Sequence, residues 1–216
     1  MFQFNQLIPI PLKEQNIGSS EVWRTELTVL ANTRCFVSAP SGKGKTTMQL
    51  IMYGIRKDYE GTATIDWKGE KIALKNLSLA DWAELRQSKL SIIFQDLRLF
   101  PDLTALENIA LKNDLTKHKS AAEIQQMAER LGVDAFLHRK AGILSYGQRQ
   151  RMAIIRALCQ PFELLLMDEP FSHLDADNIQ KCCQLIMEEC KAQGAGYIIA
   201  SLGERYQFEY DRTIQL

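Results

Sequence analysis

The stretch SAPSGKGKTT, residues 38–47, follows the apolar run CFVS and opens a segment with helical periodicity. A turn containing Gly42 and Gly44 lets successive backbone N–H groups converge on a polyphosphate, because glycine reaches dihedrals closed to other residues and leaves room for close approach. Lys45 supplies a point charge for β and γ phosphates, and Thr46, at the start of the helix, offers a hydroxyl to Mg²⁺. Ser41, Lys43 and Thr47 belong to the same run and are assigned with Gly42, Gly44, Lys45 and Thr46 to the bound cofactor. The pattern G-x-x-x-x-G-K-[ST] departs at its first glycine, which is Ala39 here. That change costs little wherever the backbone keeps φ below zero.

A second set of chemical groups lies far along the chain. LLLMDEP, residues 164–170, ends an apolar run with Asp168 and Glu169. The carboxyl end of a buried strand is where open α/β sheets bind ligands. There Asp168 can hold Mg²⁺ through water, and Glu169 can polarise a water that attacks a γ-phosphate.

These groups need elements to position them. Residues 2–74 read as strand-rich, in FQFNQLIPIPL, EVWRTELTVL, RCFVSA and GTATIDWKGEKIAL. One helix, GKTTMQLIMYGI, interrupts them with Met48, Ile51, Met52 and Ile55 at helical spacing. From Ser78 to Ala157 the pattern turns helical, with Thr104 and Glu107 matching a capping box. LLLM and YIIA, separated by a helical pattern, indicate parallel strands buried on both faces.

Composition narrows the field. The 216 residues suit one compact unit, and 26 basic against 26 acidic residues leave no net charge to draw the chain onto nucleic acid or anionic lipid. Neither a bilayer-spanning apolar run nor a signal peptide is present, so a cytoplasmic location is expected. The five cysteines lack zinc spacing; Cys182, Cys183 and Cys190 read as apolar filler on a helix.

LSYGQRQRMAIIRAL, residues 144–158, resembles the signature motif L-S-G-G-Q of ATP-binding cassette (ABC) ATPases, and the resemblance extends over essentially the whole chain. It implies an α/β fold: a P-loop NTPase core with a parallel sheet, an N-terminal antiparallel β subdomain and an inserted helical subdomain. The single cassette would divide into core and β subdomain at about 1–95 and 159–216, with the helical subdomain at about 96–158. Ser145, Gly147 and Gln148 would meet the γ-phosphate of ATP held by a second protomer, with Tyr146 replacing the motif's first glycine. Gln95 resembles the Q-loop glutamine that touches Mg²⁺ and the attacking water, and SHLD, residues 172–175, resembles the D-loop at the dimer interface. The resemblance thus implies Lys45, Gln95 and Glu169 as catalytic residues, and Thr46, Gln95 and Asp168 as magnesium ligands. FQDLRLFPDLTALENIAL is further similar to the branch serving lipoprotein release, macrolide export and cell division.

The implied partners are a second cassette, identical or not, and a permease on a separate chain that docks beside Gln95, where Leu97, Leu99 and Phe100 cluster. The protein would then be peripheral on the inner face of the cell membrane. Two family positions are unusual. The aromatic platform for adenine is missing, leaving Phe4, Trp23 or the aliphatic Ile17 as candidates. ASLGERY aligns Leu202 with the switch histidine, and the only histidines are His118, His138 and His173. His173 has a surface or packing role, or compensates at the interface; His118 and His138 are expected in solvent. The resemblance therefore allows a slow transport ATPase or an ATP-dependent clamp that acts by binding.

Overall fold

The computed structural model describes residues 1–15 and 17–216. Two sheets organise them. The strands β1 (Phe2–Pro9), β2 (Glu26–Val29), β4 (Tyr59–Trp67) and β5 (Glu70–Ala73) form an antiparallel sheet in the order β2-β1-β4-β5. A five-stranded parallel sheet runs in the order β6-β7-β8-β3-β9, with β3 (Arg34–Ser38), β6 (Leu90–Ile93), β7 (Leu164–Asp168), β8 (Gly196–Ser201) and β9 (Arg212–Gln215).

Successive side chains of a strand point to opposite faces, and this divides the interior into two cores. Val37, Leu164, Leu166, Ile198 and Ala200 face the antiparallel sheet, together with the helices α1 (Lys45–Met52) and α2 (Leu79–Ser88). Phe36, Leu165, Met167, Tyr197 and Ile199 face the other way, onto α3 (Ala105–Asn113), α4 (Ala121–Arg130), α5 (Tyr146–Leu158) and α6 (Ala176–Gln193). Burying each large apolar side chain stabilises the fold by roughly 1.5–3 kcal/mol. The apolar runs LLLM and YIIA are continuous because both faces of the sheet are covered.

Local signals fix the helix starts. Ser78, Thr104, Ser120 and Ser145 each cap a helix reciprocally with the residue three positions on. Such caps contribute about 1 kcal/mol each.

Three expectations need correction. The predicted helical stretch 78–157 contains β6, an edge strand of the parallel sheet; four apolar residues carry no periodicity that separates strand from helix. The helix after the phosphate loop ends at Met52, leaving Ile55 outside it and exposed. EVWRTELTVL is a strand only from Glu26, with Val22 and Trp23 buried in the turn before it. All five cysteines are free and buried, and burial pushes the thiols of Cys159, Cys182, Cys183 and Cys190 up to about 12. Among the described residues no helix is long and apolar enough to cross a membrane.

Candidate functional site

The loop expected to hold phosphates joins β3 to α1, and its form depends on Gly44. This residue caps α1 with φ 97°, and a Cβ there would lie 2.8 Å from Leu12 Cδ1 and 2.9 Å from the Trp23 ring. Trp23 braces the same turn by donating its indole N–H to the Lys43 carbonyl at 2.9 Å. Ser41, Gly42, Gly44, Lys45, Thr46 and Thr47 line a cavity of about 340 Å³ that also receives Gln95, Asp168 and Glu169. Sites from three distant segments are thus brought into one space. Lys45 is buried, with its ammonium donating to the Ala39 carbonyl at 2.8 Å and lying 3.8 Å from Glu169 Oε1.

Asp168 ends β7 at the cavity floor. Burial pushes its carboxyl up, while a bond from the Thr46 side chain and the Lys45 charge pull it down. Its Oδ1 is buried without a hydrogen-bond partner. A buried carboxylate oxygen with no donor, next to a hydroxyl and an amide side chain, fits a hard cation that takes oxygen ligands. No cluster of three or more acidic, histidine or cysteine side chains able to hold a metal occurs among the described residues.

Glu169 follows with φ 45°, in the left-handed region that is uncommon for a residue with a side chain. Its N–H donates to the Ala200 carbonyl at 2.9 Å, tying the strained residue to β8. Burial raises its carboxyl pKa; Lys45 lowers it, the charge of Asp168 raises it, and bonds from the Ser201 hydroxyl and the Leu202 N–H lower it. A carboxylate displaced toward neutral pH suits a general base. Leu202 lines the cavity, is 65% exposed and carries no side-chain donor.

Ser145, Gly147 and Gln148 do not line this cavity; they form the first turn of α5. The Ser145 hydroxyl accepts from the Gln148 N–H at 3.3 Å, and the Gln148 side chain accepts from the Ser145 N–H at 2.9 Å. Tyr146 joins three segments. Its hydroxyl donates to the Gln95 carbonyl at 2.8 Å, its ring lies 4.0 Å from that of His173, and Arg149 sits over the same ring. His173 lines the cavity and bonds Ser172 Oγ through Nδ1 at 2.9 Å. Tyr146→Phe is expected to lower stability by about 0.5–1.5 kcal/mol through the lost hydroxyl bond. Tyr146→Gly loses the ring contacts as well and falls further. Urea unfolding reads both, and a Tyr146→Phe chain as stable as the parent would remove the bond to Gln95 from the account.

Other expected residues stand elsewhere. Phe4, Ile17 and Trp23 are buried and none lines the cavity; Pro9, Pro11 and Leu12 form one wall of it instead. The chain around Pro9 leaves β1 in a short 3-10 turn, so the wall is made by a prolyl segment with no aromatic signal to find. Leu97 is buried, Leu99 is partly buried against the helical core, and only Phe100 of the three stands out, 57% exposed. His138 is exposed as expected. His118 is half-buried with Nε2 lacking a partner, and burial lowers its pKa.

Comparison with known proteins places this geometry. A family model described as ABC transporter matches residues 23–172. Two relatives from Mycobacterium tuberculosis strains, both described as uncharacterised ABC transporter ATP-binding proteins, are 30% identical over 193 residues, covering 88% of this chain and 57% of theirs. The chain therefore spans little more than half the length of these relatives. The dimeric bacterial ABC transporter cassette MJ0796 superposes with a TM-score of 0.77 at 27% identity, over 94% of this chain and 88% of that one. The same cassette in a dimeric post-hydrolysis state bound to ADP and Pi gives 0.75 at 26% identity, over 93% and 88%. A bacterial Atm1-family ABC exporter with ATP bound shares the fold, with a TM-score of 0.72 at 24% identity over 93% of this chain and 34% of that one. The family match runs continuously through the phosphate loop, the first turn of α5 and the acidic end of β7, and the chain belongs to the ABC transporter ATP-binding cassettes.

Proposed function

We propose that this cassette binds Mg·ATP, closes around it as a head-to-tail dimer with an identical or a related cassette, and hydrolyses it to drive a separate transmembrane permease from the cytoplasmic face of the membrane. The observation that carries the reading is the single cavity in which Lys45, Thr46, Asp168 and Glu169 meet. The MJ0796 neighbour, dimeric and in one structure bound to ADP and Pi, supports it by homology.

The phosphate loop from Ser41 to Thr47 would hold the triphosphate through backbone N–H groups and the Lys45 ammonium. The adenine would pack on Pro9, Pro11 and Leu12, a weaker platform than an aromatic ring. Thr46, Asp168 and Gln95 would hold Mg²⁺, which supplies charge neutralisation between the β and γ phosphates when bound. Glu169 would take a proton from water as its oxygen attacks the γ-phosphorus, and the bond from phosphorus to the β–γ bridging oxygen breaks to release ADP. In the dimer, Ser145, Gly147 and Gln148 would turn from capping their own helix to meeting the γ-phosphate across the interface, with residues 96–158 as the subdomain that carries them. A helix N-terminus with free N–H groups suits that task.

Leu202 favours a second reading, in which ATP closes the dimer and signals by binding while turnover stays slow. Both readings predict nucleotide-dependent dimerisation. Light scattering is expected to show Mg·ATP converting monomer to dimer, and Lys45→Ala to abolish the conversion. A mass indifferent to Mg·ATP, or dimerisation undiminished in Lys45→Ala, would overturn both.

A further inference from the structure

The first turn of α5 rests on its own chain. A Cβ on Gly147 would lie 3.4 Å from the His173 carbonyl and from Leu174 Cδ2, so the turn packs onto the segment SHLD, residues 172–175. Tyr146 fastens the same turn twice more. Its hydroxyl donates to the Gln95 carbonyl at 2.8 Å, and its half-buried ring meets that of His173 with centroids 4.0 Å apart and planes 43° apart. His173 is itself held by the Ser172 hydroxyl through Nδ1 at 2.9 Å. The signature motif carries glycine where this chain has Tyr146, and glycine makes neither the hydroxyl bond nor the ring contact.

The polar groups of the turn are engaged within it as well. The Ser145 N–H donates to Gln148 Oε1 at 2.9 Å, and the Gln148 N–H donates to the Ser145 hydroxyl at 3.3 Å. One neighbour is left unserved. Arg149, whose guanidinium sits over the Tyr146 ring, has its Nε buried with no hydrogen-bond partner among the described residues. Buried donors without a partner are rare and unfavourable, so this packing of the turn does not satisfy every group around it. Gln95 and His173 both line the nucleotide cavity. Tyr146 thus ties the turn to the walls of the site on its own chain.

We propose that Tyr146 is a strut that holds the first turn of α5 against its own chain and so sets how much nucleotide is needed to close the dimer. The inference rests on the reading that Ser145, Gly147 and Gln148 meet the γ-phosphate across the interface, and it adds a residue that opposes that step. Tyr146 lies between Ser145 and Gly147 and moves with them, whereas Gln95 and His173 belong to other segments. Carrying the turn across the interface breaks the hydroxyl bond and parts the two rings. A contact made in one state alone shifts the equilibrium by its whole free energy. Each protomer breaks one strut for each nucleotide it binds, so the nucleotide midpoint moves by the factor that a single strut supplies.

The test titrates the parent, Tyr146→Phe and Tyr146→Gly chains with Mg²⁺ and the hydrolysis-resistant β,γ-imido analogue of ATP at one protein concentration, with light scattering reading the dimer. Tyr146→Phe is expected to lower the midpoint about two- to tenfold, the shift that one hydrogen bond confined to the open chain supplies. Tyr146→Gly, which gives up the ring contact too, is expected to need no more nucleotide than Tyr146→Phe. A residue that only stabilises the fold gives the opposite sign, since a loosened cassette needs more nucleotide to close. Urea unfolding of the same preparations supplies the second readout, because the lowered midpoint has to accompany a less stable free chain. A midpoint unchanged or raised in Tyr146→Phe overturns the strut alone. So does a lowered midpoint in a Tyr146→Phe chain as stable as the parent, which would make the hydroxyl an obstacle to the partner's nucleotide instead. Absence of dimer in all three chains at every nucleotide concentration overturns nucleotide-driven closure, and the strut with it.

Discussion

Glu169→Gln is expected to lower Mg·ATP turnover about 10²- to 10⁴-fold, the range a positioned general base contributes, while leaving nucleotide-dependent dimerisation intact. The substitution keeps the shape of the side chain. It removes the basic oxygen that stands 3.8 Å from the Lys45 ammonium. Its strained backbone, at φ 45°, depends on the Ala200 carbonyl rather than on the carboxylate, so the local fold survives the change. The pH dependence follows from the same contacts. A base acts when deprotonated, and burial beside Asp168 raises the Glu169 pKa from its ordinary value. Parent turnover should therefore fall as pH drops through an apparent value above the ordinary glutamate one, a value that belongs to the Asp168–Glu169 pair. Steady-state phosphate release across pH reads both effects. A Glu169→Gln chain that turns over like the parent would assign the base to another group.

The parts of this site that were legible in the sequence are those whose chemistry needs a fixed local pattern. Gly42, Gly44, Lys45 and Thr46 announce themselves because a phosphate loop has to be built from consecutive residues. Asp168 and Glu169 do so because they close an apolar strand. The capping box at Thr104 and Glu107 was equally readable, since its two partners lie within one turn. The prolyl wall was not, because Pro9, Pro11 and Leu12 carry no pattern of their own and meet the phosphate loop only through the packing of β1 against the core. The strand β6 was hidden by its brevity. The bridge from Tyr146 to Gln95 and His173 likewise depends on tertiary placement, although the replacement of glycine by tyrosine marked the position as unusual.

Leu202→His is expected to raise Mg·ATP turnover by at least about tenfold, with a ceiling near the 10²–10³ that one well-placed transition-state donor contributes. Position 202 already lines the cavity beside Glu169, and its leucine is 65% exposed, so a histidine enters without displacing any core packing. Surface substitutions of this kind usually change stability by less than about 0.5 kcal/mol, which keeps the comparison of rates clean. The imidazole adds a donor where leucine offers none. His173 is the group that can make the result come out otherwise, since it lines the same cavity, held by Ser172 and by the Tyr146 ring. If His173 supplies the missing donor, His173→Ala slows the parent about as much as Leu202→His fails to accelerate it. If it does not, His173→Ala leaves the rate near the parent's and Leu202→His alone moves it. A parent that does not turn over, yet dimerises with Mg·ATP and gains activity in Leu202→His, is a cassette that works as a binding switch. A parent with brisk turnover that neither substitution alters has the Leu202 backbone and Glu169 as sufficient, and the idea of a slow site fails.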